Sequence, residues 1–381
     1  MHEPAVEKQC NLNICHAEHD RNVPDINLLS PLLIRGVTLQ NRLVYSPMCQ
    51  YVANEGFADD WHLVHLGSRA VGGASLIFTE ATAVTAEGRI SKGDLGLWSD
   101  EHIAPLARVA SFIERMNKVP AIQLAHAGRK GSCRQPWDDH GKYLTIQEGG
   151  WPLLAPSAIP FFEGEDPPQE IDKQGIQAII QAFVKAAKRA IQAGFEIIEV
   201  HSAHGYLAHS FLSPISNQRK DEYGGSLENR MRFLLELIGE LRKTIPEEMP
   251  LFVRISATDW VEGGWDIDQS IVLCHALKSL GVDLIDVSSG GTVPHAQIPV
   301  KPGYQVPFST KIREACKILT GAVGLITEPN QANDVIVSGQ ADLTFIGREM
   351  MRNPYFGLQA EKALDHPQSW PLSYGYAVRR S

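Results

Sequence analysis

The chain has no apolar run of 18 residues, the length a membrane-spanning helix needs, so no span is expected. It has no surplus of basic charge: 35 Lys and Arg face 44 Asp and Glu, for a net charge of −9. That balance argues against a nucleic-acid partner. The opening residues Met1-His2-Glu3-Pro4-Ala5-Val6-Glu7 lack the apolar core of a secretory signal. The six cysteines, Cys10, Cys15, Cys49, Cys133, Cys274 and Cys316, form no C-x-x-C pair. They read as free thiols in a reducing compartment, with a cytoplasmic location expected. No G-x-G occurs anywhere, so the glycine fingerprint of an open dinucleotide-binding sheet is missing.

What the chain does have is alternation. Short apolar runs at 43–48, 74–80, 120–126, 195–200, 251–257, 282–288, 322–326 and 342–348 read as strands. Helical spacing fills 61–71, 102–117, 176–193, 227–245, 268–280, 310–319 and 330–338 between them. Ser99 or Asp100 is the expected N-cap of the second helix. Strands separated by helices pair in parallel, and eight of them close a barrel. The expected fold is α/β, a (β/α)8 TIM barrel over residues 27–365; a doubly wound sheet is the alternative. Residues 1–26 are polar and aperiodic and read as a flexible N-terminal extension. Within it Cys10, Cys15, His16 and His19 match no common zinc spacing. The stretch 128–166 has no regular pattern, and loops of that length usually serve function.

In a barrel the C-terminal strand ends converge on one pocket. The richest of these ends is His201-Ser202-Ala203-His204-Gly205-Tyr206. Two imidazoles three residues apart can donate to one oxygen, and a phenol beside them can supply a proton. The same histidines could equally be satisfied loop residues or ligands of a metal. Gln123 and Arg254 offer an amide and a fixed cation, suited to a planar heterocycle that becomes anionic on reduction. Gly324, Gly347 and Arg348 follow the last two strands, where such barrels hold phosphate. Arg348 could instead form a surface ion pair, and Gln123 could be a satisfied buried amide. Cys49 reads as an inert thiol unless a cofactor lies near, and Tyr51 as a substrate contact or loop packing. His62 and His65, one helical turn apart, read as packing.

The motifs Ser46-Pro47-Met48-Cys49-Gln50-Tyr51, Glu80-Ala81-Thr82, Gln123-Leu124-Ala125-His126-Ala127-Gly128-Arg129-Lys130, His201-Ser-Ala-His204-Gly-Tyr206-Leu207, Leu212-Ser213-Pro214, Asp221-Glu-Tyr-Gly-Gly-Ser226, Phe252-Val-Arg254 and Ile346-Gly347-Arg348 resemble the Old Yellow Enzyme family. They look like its thermophilic-like bacterial branch, which includes the xenobiotic reductases. The resemblance spans about residues 27–376. It implies a barrel holding FMN non-covalently, reduced by NADPH or NADH, which then reduces an activated alkene: an enone, enal, maleimide or nitroalkene. It implies that His201 and His204 bind the substrate's carbonyl or nitro oxygen and that Tyr206 protonates the α-carbon. Tyr51 would contact substrate, and Cys49 would tune the flavin. Ser46, Pro47, Met48, Cys49, Ala81, Gln123, Arg254, Ser289, Gly290, Gly324, Gly347 and Arg348 would hold FMN. No metal is implied.

The resemblance also places the tail, 366–381, at a subunit interface of a homodimer or homotetramer, with Arg379 as a candidate substrate contact. The tail lacks the family's Arg or Trp at the aligned position, and Val300 stands where some relatives have Trp. Two other readings use the same residues. One is a metal-dependent barrel hydrolase or lyase using His201, His204 and Glu199. The other is a flavin-binding sensor with incidental turnover.

Overall fold

The computed structural model describes residues 26–378. The chain enters through an antiparallel hairpin, β1 (Leu32–Ile34) and β2 (Val37–Leu39). Eight parallel strands then close a barrel: β3 (Leu43–Tyr45), β4 (Leu76–Ala83), β5 (Val119–Ala125), β8 (Ile197–Ser202), β9 (Leu251–Ser256), β10 (Leu284–Ser288), β11 (Leu319–Ala322) and β12 (Leu343–Ile346). A two-residue parallel ribbon, β6 (Leu154–Ala155) with β7 (Gln169–Glu170), lies within the long connection after β5. The helices are α1 (Asp60–Val71), α2 (Ile103–Arg115), α3 (Lys173–Gln192), α4 (Leu207–Leu212), α5 (Leu227–Thr244), α6 (Ile267–Ser279), α7 (Val306–Cys316), α8 (Pro329–Val337), α9 (Arg348–Arg352) and α10 (Phe356–Ala363). The expected TIM barrel is the fold.

Local chemistry explains the helix starts. The side chains of Asp59, Asp172, Ser226 and Asp266 accept backbone N–H groups in the first turns of α1, α3, α5 and α6. The second helix begins one turn earlier as a 3-10 turn, capped by Ser99.

The hairpin decides which end of the barrel is open. Ile34, Val37 and Leu39 bury their side chains in one cluster with Val44, Leu76, Phe78, Ala121, Phe252, Leu284 and Phe345 from the strands. Phe78 stacks on Phe345 with centroids 6.0 Å apart. Each such buried side chain contributes about 1.5–3 kcal/mol. This plug fills the lower barrel and leaves the C-terminal end for chemistry.

Parallel register then gathers the polar side chains. Ala81 stands opposite Gln123, and Gln123 opposite Glu199. His201 stands opposite Arg254, and Arg254 opposite Asp286. A register shift lies between Phe78 and Ala81, at Glu80 within β4.

Three expected elements moved. The seventh barrel strand is Leu319–Ala322, not 322–326; Gly324, at φ 127, already belongs to the loop. The first is shorter than 43–48, so Ser46 to Met48 form the loop above it. The fourth runs on to Ser202 and carries His201 within its last turn of ladder. The stretch 128–166 is not pattern-free: it contains 3-10 turns at Gly128–Lys130, Asp139–Gly141 and Ile146–Glu148, besides β6. The N-terminal extension through residue 25, with Cys10, Cys15, His16 and His19, and Arg379 in the tail lie outside the described residues.

Candidate active site

The centre is the turn after β8. His204 and Gly205 both adopt positive φ, 59 and 76. A Cβ on Gly205 would sit 2.2 Å from the carbonyl oxygen of Gly291, so only glycine lets this turn meet the loop after β10. His204 N donates to Ser256 Oγ (2.9 Å), and Gly205 N donates to His209 Nδ1 (2.8 Å). His209 Nε2 lies 3.1 Å from Asp259 Oδ1, with both side chains fully buried. Ser213 and Thr292 each donate a hydroxyl to Asp259 at 2.6 Å. Burial alone would raise the Asp259 carboxyl; the His209 ring and the two hydroxyls outweigh it and bring it to about 2. A buried polar framework therefore supports the strained turn from below.

On that support, Nδ1 of His204 lies 3.4 Å from Nε2 of His201, and the rings meet edge to face at 86°. The expected convergence is present: one acceptor oxygen fits against both nitrogens. Ala203 N donates to Nδ1 of His201, which leaves the proton on Nε2, the nitrogen facing His204. Burial, then the charge of Arg254, holds both imidazoles well below their ordinary value, so they are neutral donors. The Tyr206 ring stands 4.9 Å from that of His201. Burial pushes its phenol well above the usual value, which keeps the proton on.

Cys49 and Tyr51 face this group from the loop after β3. Burial, then the Asp94 and Glu80 charges, raises the Cys49 thiol well above its ordinary value, against hydrogen bonds from Ala81 N and the Tyr51 hydroxyl. Cys49 is thus a protonated thiol, not a nucleophile. Glu80, from the Glu80-Ala81-Thr82 motif, holds this loop: its carboxylate accepts Gln50 N at 3.0 Å. His62 lies 3.5 Å from Glu80 and 2.7 Å from Asp59, and His65 2.7 Å from the Tyr45 hydroxyl. Both have the packing role expected of them.

Some of the cofactor candidates line a cavity of about 260 Å3 at the ends of β9 to β12 and β3; Cys49, Ala81 and Gln123 do not. Ser46, Met48, Arg254, Ser288, Gly324, Gly347 and Arg348 bound it, with Pro47 buried beside them. Two residues missed from the sequence, Tyr304 and Gln305, complete the wall. Ser289 and Gly290 are turned elsewhere. Ser289 donates to Gln305 Oε1 at 2.6 Å, and the Gly290 carbonyl accepts Ser256 Oγ. Their neighbour Ser288 takes the place at the wall.

The barrel interior explains Gln123 and Arg254. Gln123 Nε2 donates to Glu199 Oε1 at 2.8 Å. Arg254 Nε lies 3.1 Å from Asp286 Oδ2, the partner a buried charge requires. Burial raises both carboxyls, and Asp286 raises Glu199 further against the pull of Arg254. Glu199 is thereby committed to Gln123, not to the histidines. Among the described residues no three His, Cys, Asp or Glu converge as a metal site would need. Val300 is 61% exposed and does not line the cofactor cavity.

A family model described as "NADH:flavin oxidoreductase / NADH oxidase family" matches residues 27–366. The chain belongs to this family, that of the Old Yellow Enzymes. It is 49% identical over 349 residues to an NADPH dehydrogenase of Geobacillus sp. (strain WCH70), covering 91% of this chain and 97% of that one. It is 46% identical over 349 residues to an NADPH dehydrogenase of Bacillus subtilis (strain 168), covering 91% and 98%. The structure of morphinone reductase, 24% identical, superposes with a TM-score of 0.76 over 94% of this chain and 99% of the other, and speaks for the shared fold. As a member of the Old Yellow Enzyme family the chain is an FMN-dependent oxidoreductase that draws on NAD(P)H.

The residues fit FMN. Ser46 Oγ is buried without a hydrogen-bond partner in the protein, as a donor awaiting a ligand would be. Arg348 lines the cavity with Gly324 and Gly347, whose missing side chains would allow an anion close approach. Among the described residues no helix is long and apolar enough to cross a membrane.

Proposed function

We propose that this oxidoreductase is an ene-reductase, acting on alkenes activated by a carbonyl or nitro group: enones, enals, maleimides and nitroalkenes. The observation that carries the proposal is the facing pair His201 Nε2 and His204 Nδ1, 3.4 Å apart and neutral. Bound FMN supplies hydride transfer from the nicotinamide to the alkene's β-carbon. The chain does the rest. His201 and His204 bind the substrate oxygen and stabilise the negative charge that grows on it. Tyr206 gives its hydroxyl proton to the α-carbon. Arg254, Gln123, Ser46 and Arg348 would hold FMN, and Tyr51 would contact the substrate. The nicotinamide donor and the alkene use the same pocket in turn.

The tail belongs to the same reading. Leu372 and Tyr376 are 99% and 95% exposed, a poor arrangement for apolar side chains in a lone subunit. We infer that 366–381 docks on a second copy of the chain in a homodimer or homotetramer.

The test is a visible spectrum of the purified protein, before and after a para-substituted phenol, followed by enone assays with NADPH and NADH. A flavin spectrum, a long-wavelength charge-transfer band on phenol addition and enone turnover are expected. His201→Ala with His204→Ala should keep FMN, weaken phenol binding and lower turnover on the order of 100-fold or more. Unchanged turnover in that double variant overturns the assignment. A yellow protein that binds phenol but turns over no alkene would be a flavin-binding sensor instead.

A further inference from the structure

Lys130 ends the 3-10 turn after β5 and points back into the site. Its Nζ donates to the carbonyl oxygens of His204 (2.8 Å) and Gly291 (3.0 Å). It stands 4.3 Å from the ring centroid of Phe161 and 5.3 Å from that of Tyr206. Among the described residues it pairs with no carboxylate, although surface lysines such as Lys173 and Lys243 do. A sequestered ammonium without a counter-ion is costly to keep, and a cation held against an aromatic face is the sort of contact kept for its field.

The proton step explains what that field is for. When the Tyr206 O–H bond breaks and a C–H bond forms at the substrate's α-carbon, the electron pair of the enolate or nitronate takes the proton. The carbonyl or nitro group is restored, and Tyr206 is left as a phenolate that later regains a proton from water. Burial opposes that phenolate.

We propose that Lys130 is a positioning residue for this reaction, holding the His204 turn by its carbonyl and placing its charge where it stabilises the Tyr206 phenolate as the proton leaves. The proposal rests on Tyr206 being the proton donor. Burial, with the neighbouring Arg129 charge, lowers the Lys130 ammonium to about 8, so it is still predominantly charged at neutral pH. The Arg254 charge lowers the Tyr206 phenol against burial, but Arg254 is tied to Asp286.

Two variants of the holoenzyme separate charge from scaffold. Lys130→Gln keeps hydrogen-bond donors and loses the charge; Lys130→Arg keeps both. Each is reduced by NADPH and then reoxidised, in a stopped-flow instrument, by cyclohexenone or by ferricyanide, which takes electrons without protonating carbon. Lys130→Gln is expected to be reduced, and reoxidised by ferricyanide, at the parent rates. Its reoxidation by cyclohexenone should slow on the order of 100-fold, with a larger solvent deuterium isotope effect. Lys130→Arg should recover most of that rate. Parent-like cyclohexenone rates in Lys130→Gln overturn the proposal. So do equal losses in the two variants, or slow NADPH reduction in Lys130→Gln, which would mark Lys130 as scaffold alone. If the reduced parent protein is reoxidised by ferricyanide but by no enone, the ene-reductase reading beneath the proposal has failed first.

Discussion

Ser288 Oγ stands 2.7 Å from Nε2 of His204, on the edge of that ring away from His201. The hydroxyl has a second acceptor in Gln305 Oε1, but at 3.3 Å. The shorter contact puts the Ser288 proton on His204 Nε2, which leaves Nδ1–H to face the pocket. Ser288→Ala frees the tautomer. It should raise the dissociation constant of a para-substituted phenol and lower enone kcat roughly 10-fold or more. Ser288→Thr, which keeps the hydroxyl, should restore both. Phenol titration and steady-state kinetics check this, and equal behaviour of the two variants would show that the hydroxyl sets nothing.

Asp286, 3.1 Å from Arg254 Nε and not in the lining of the cofactor cavity, offsets the charge of Arg254. With Asp286→Asn the guanidinium acts at full strength on a flavin that gains negative charge on reduction. The midpoint potential of bound FMN should rise by roughly 30 mV or more, the two-electron equivalent of tenfold in equilibrium. Dye-coupled spectroelectrochemistry reads it. A fall in potential would mean that Arg254 does not face the reduced flavin.

Asp259 links stability to acid. Its folded value of about 2 lies below the ordinary 3.8, so the unfolded chain takes up the proton first. The stabilisation is fully present above pH 4 and is lost as pH falls from about 4 towards 2. At neutral pH it amounts to roughly 2–3 kcal/mol. Asp259→Asn should therefore unfold at lower urea than the parent at pH 7, with the gap narrowing below pH 4. A gap that does not depend on pH would assign the loss to hydrogen bonding alone.

The tail can be removed. Trp61 and Val64 on α1 are 53% and 68% exposed, beside a depression of about 310 Å3 that Met351 and Pro354 also line. With Leu372 and Tyr376 they are the exposed apolar side chains on which the proposed subunit interface would rest. Light scattering on the full chain should give a dimer or larger. Truncation after residue 365 should shift the mass towards the monomer, and an unchanged mass would place the interface elsewhere.

Period and turn signals announced the barrel because buried parallel strands are short apolar runs between amphipathic helices. They failed at β11. The run Ala322-Val323-Gly324-Leu325-Ile326 is more apolar than the true strand, whose Thr320 and Gly321 are chosen by packing: a Cβ on Gly321 would lie 2.2 Å from the Phe345 ring. Motif chemistry located His201, His204, Tyr206, Arg254 and Gln123. It did not find the residues that act on them. Asp286 was visible as a charge in an apolar strand, but its pairing with Arg254 needs the register. Glu80 and Lys130 stand within the strand-end motifs, but their contacts with Gln50 and His204, like the place of Gln305, need three-dimensional proximity that no spacing in one sequence reports.

The protonated state of Cys49 has a chemical consequence. Activated alkenes are Michael acceptors, and Michael acceptors consume thiolates. A site that admits them beside a cysteine would alkylate itself unless that sulfur stayed a thiol, and burial with the nearby Asp94 and Glu80 charges keeps it one. Iodoacetamide should therefore label Cys49 slowly at pH 7 in the folded protein and rapidly after unfolding, as peptide mass spectrometry would show. The low dielectric around that sulfur would be, under the proposed alkene reduction, this protein's tolerance for its own reactants.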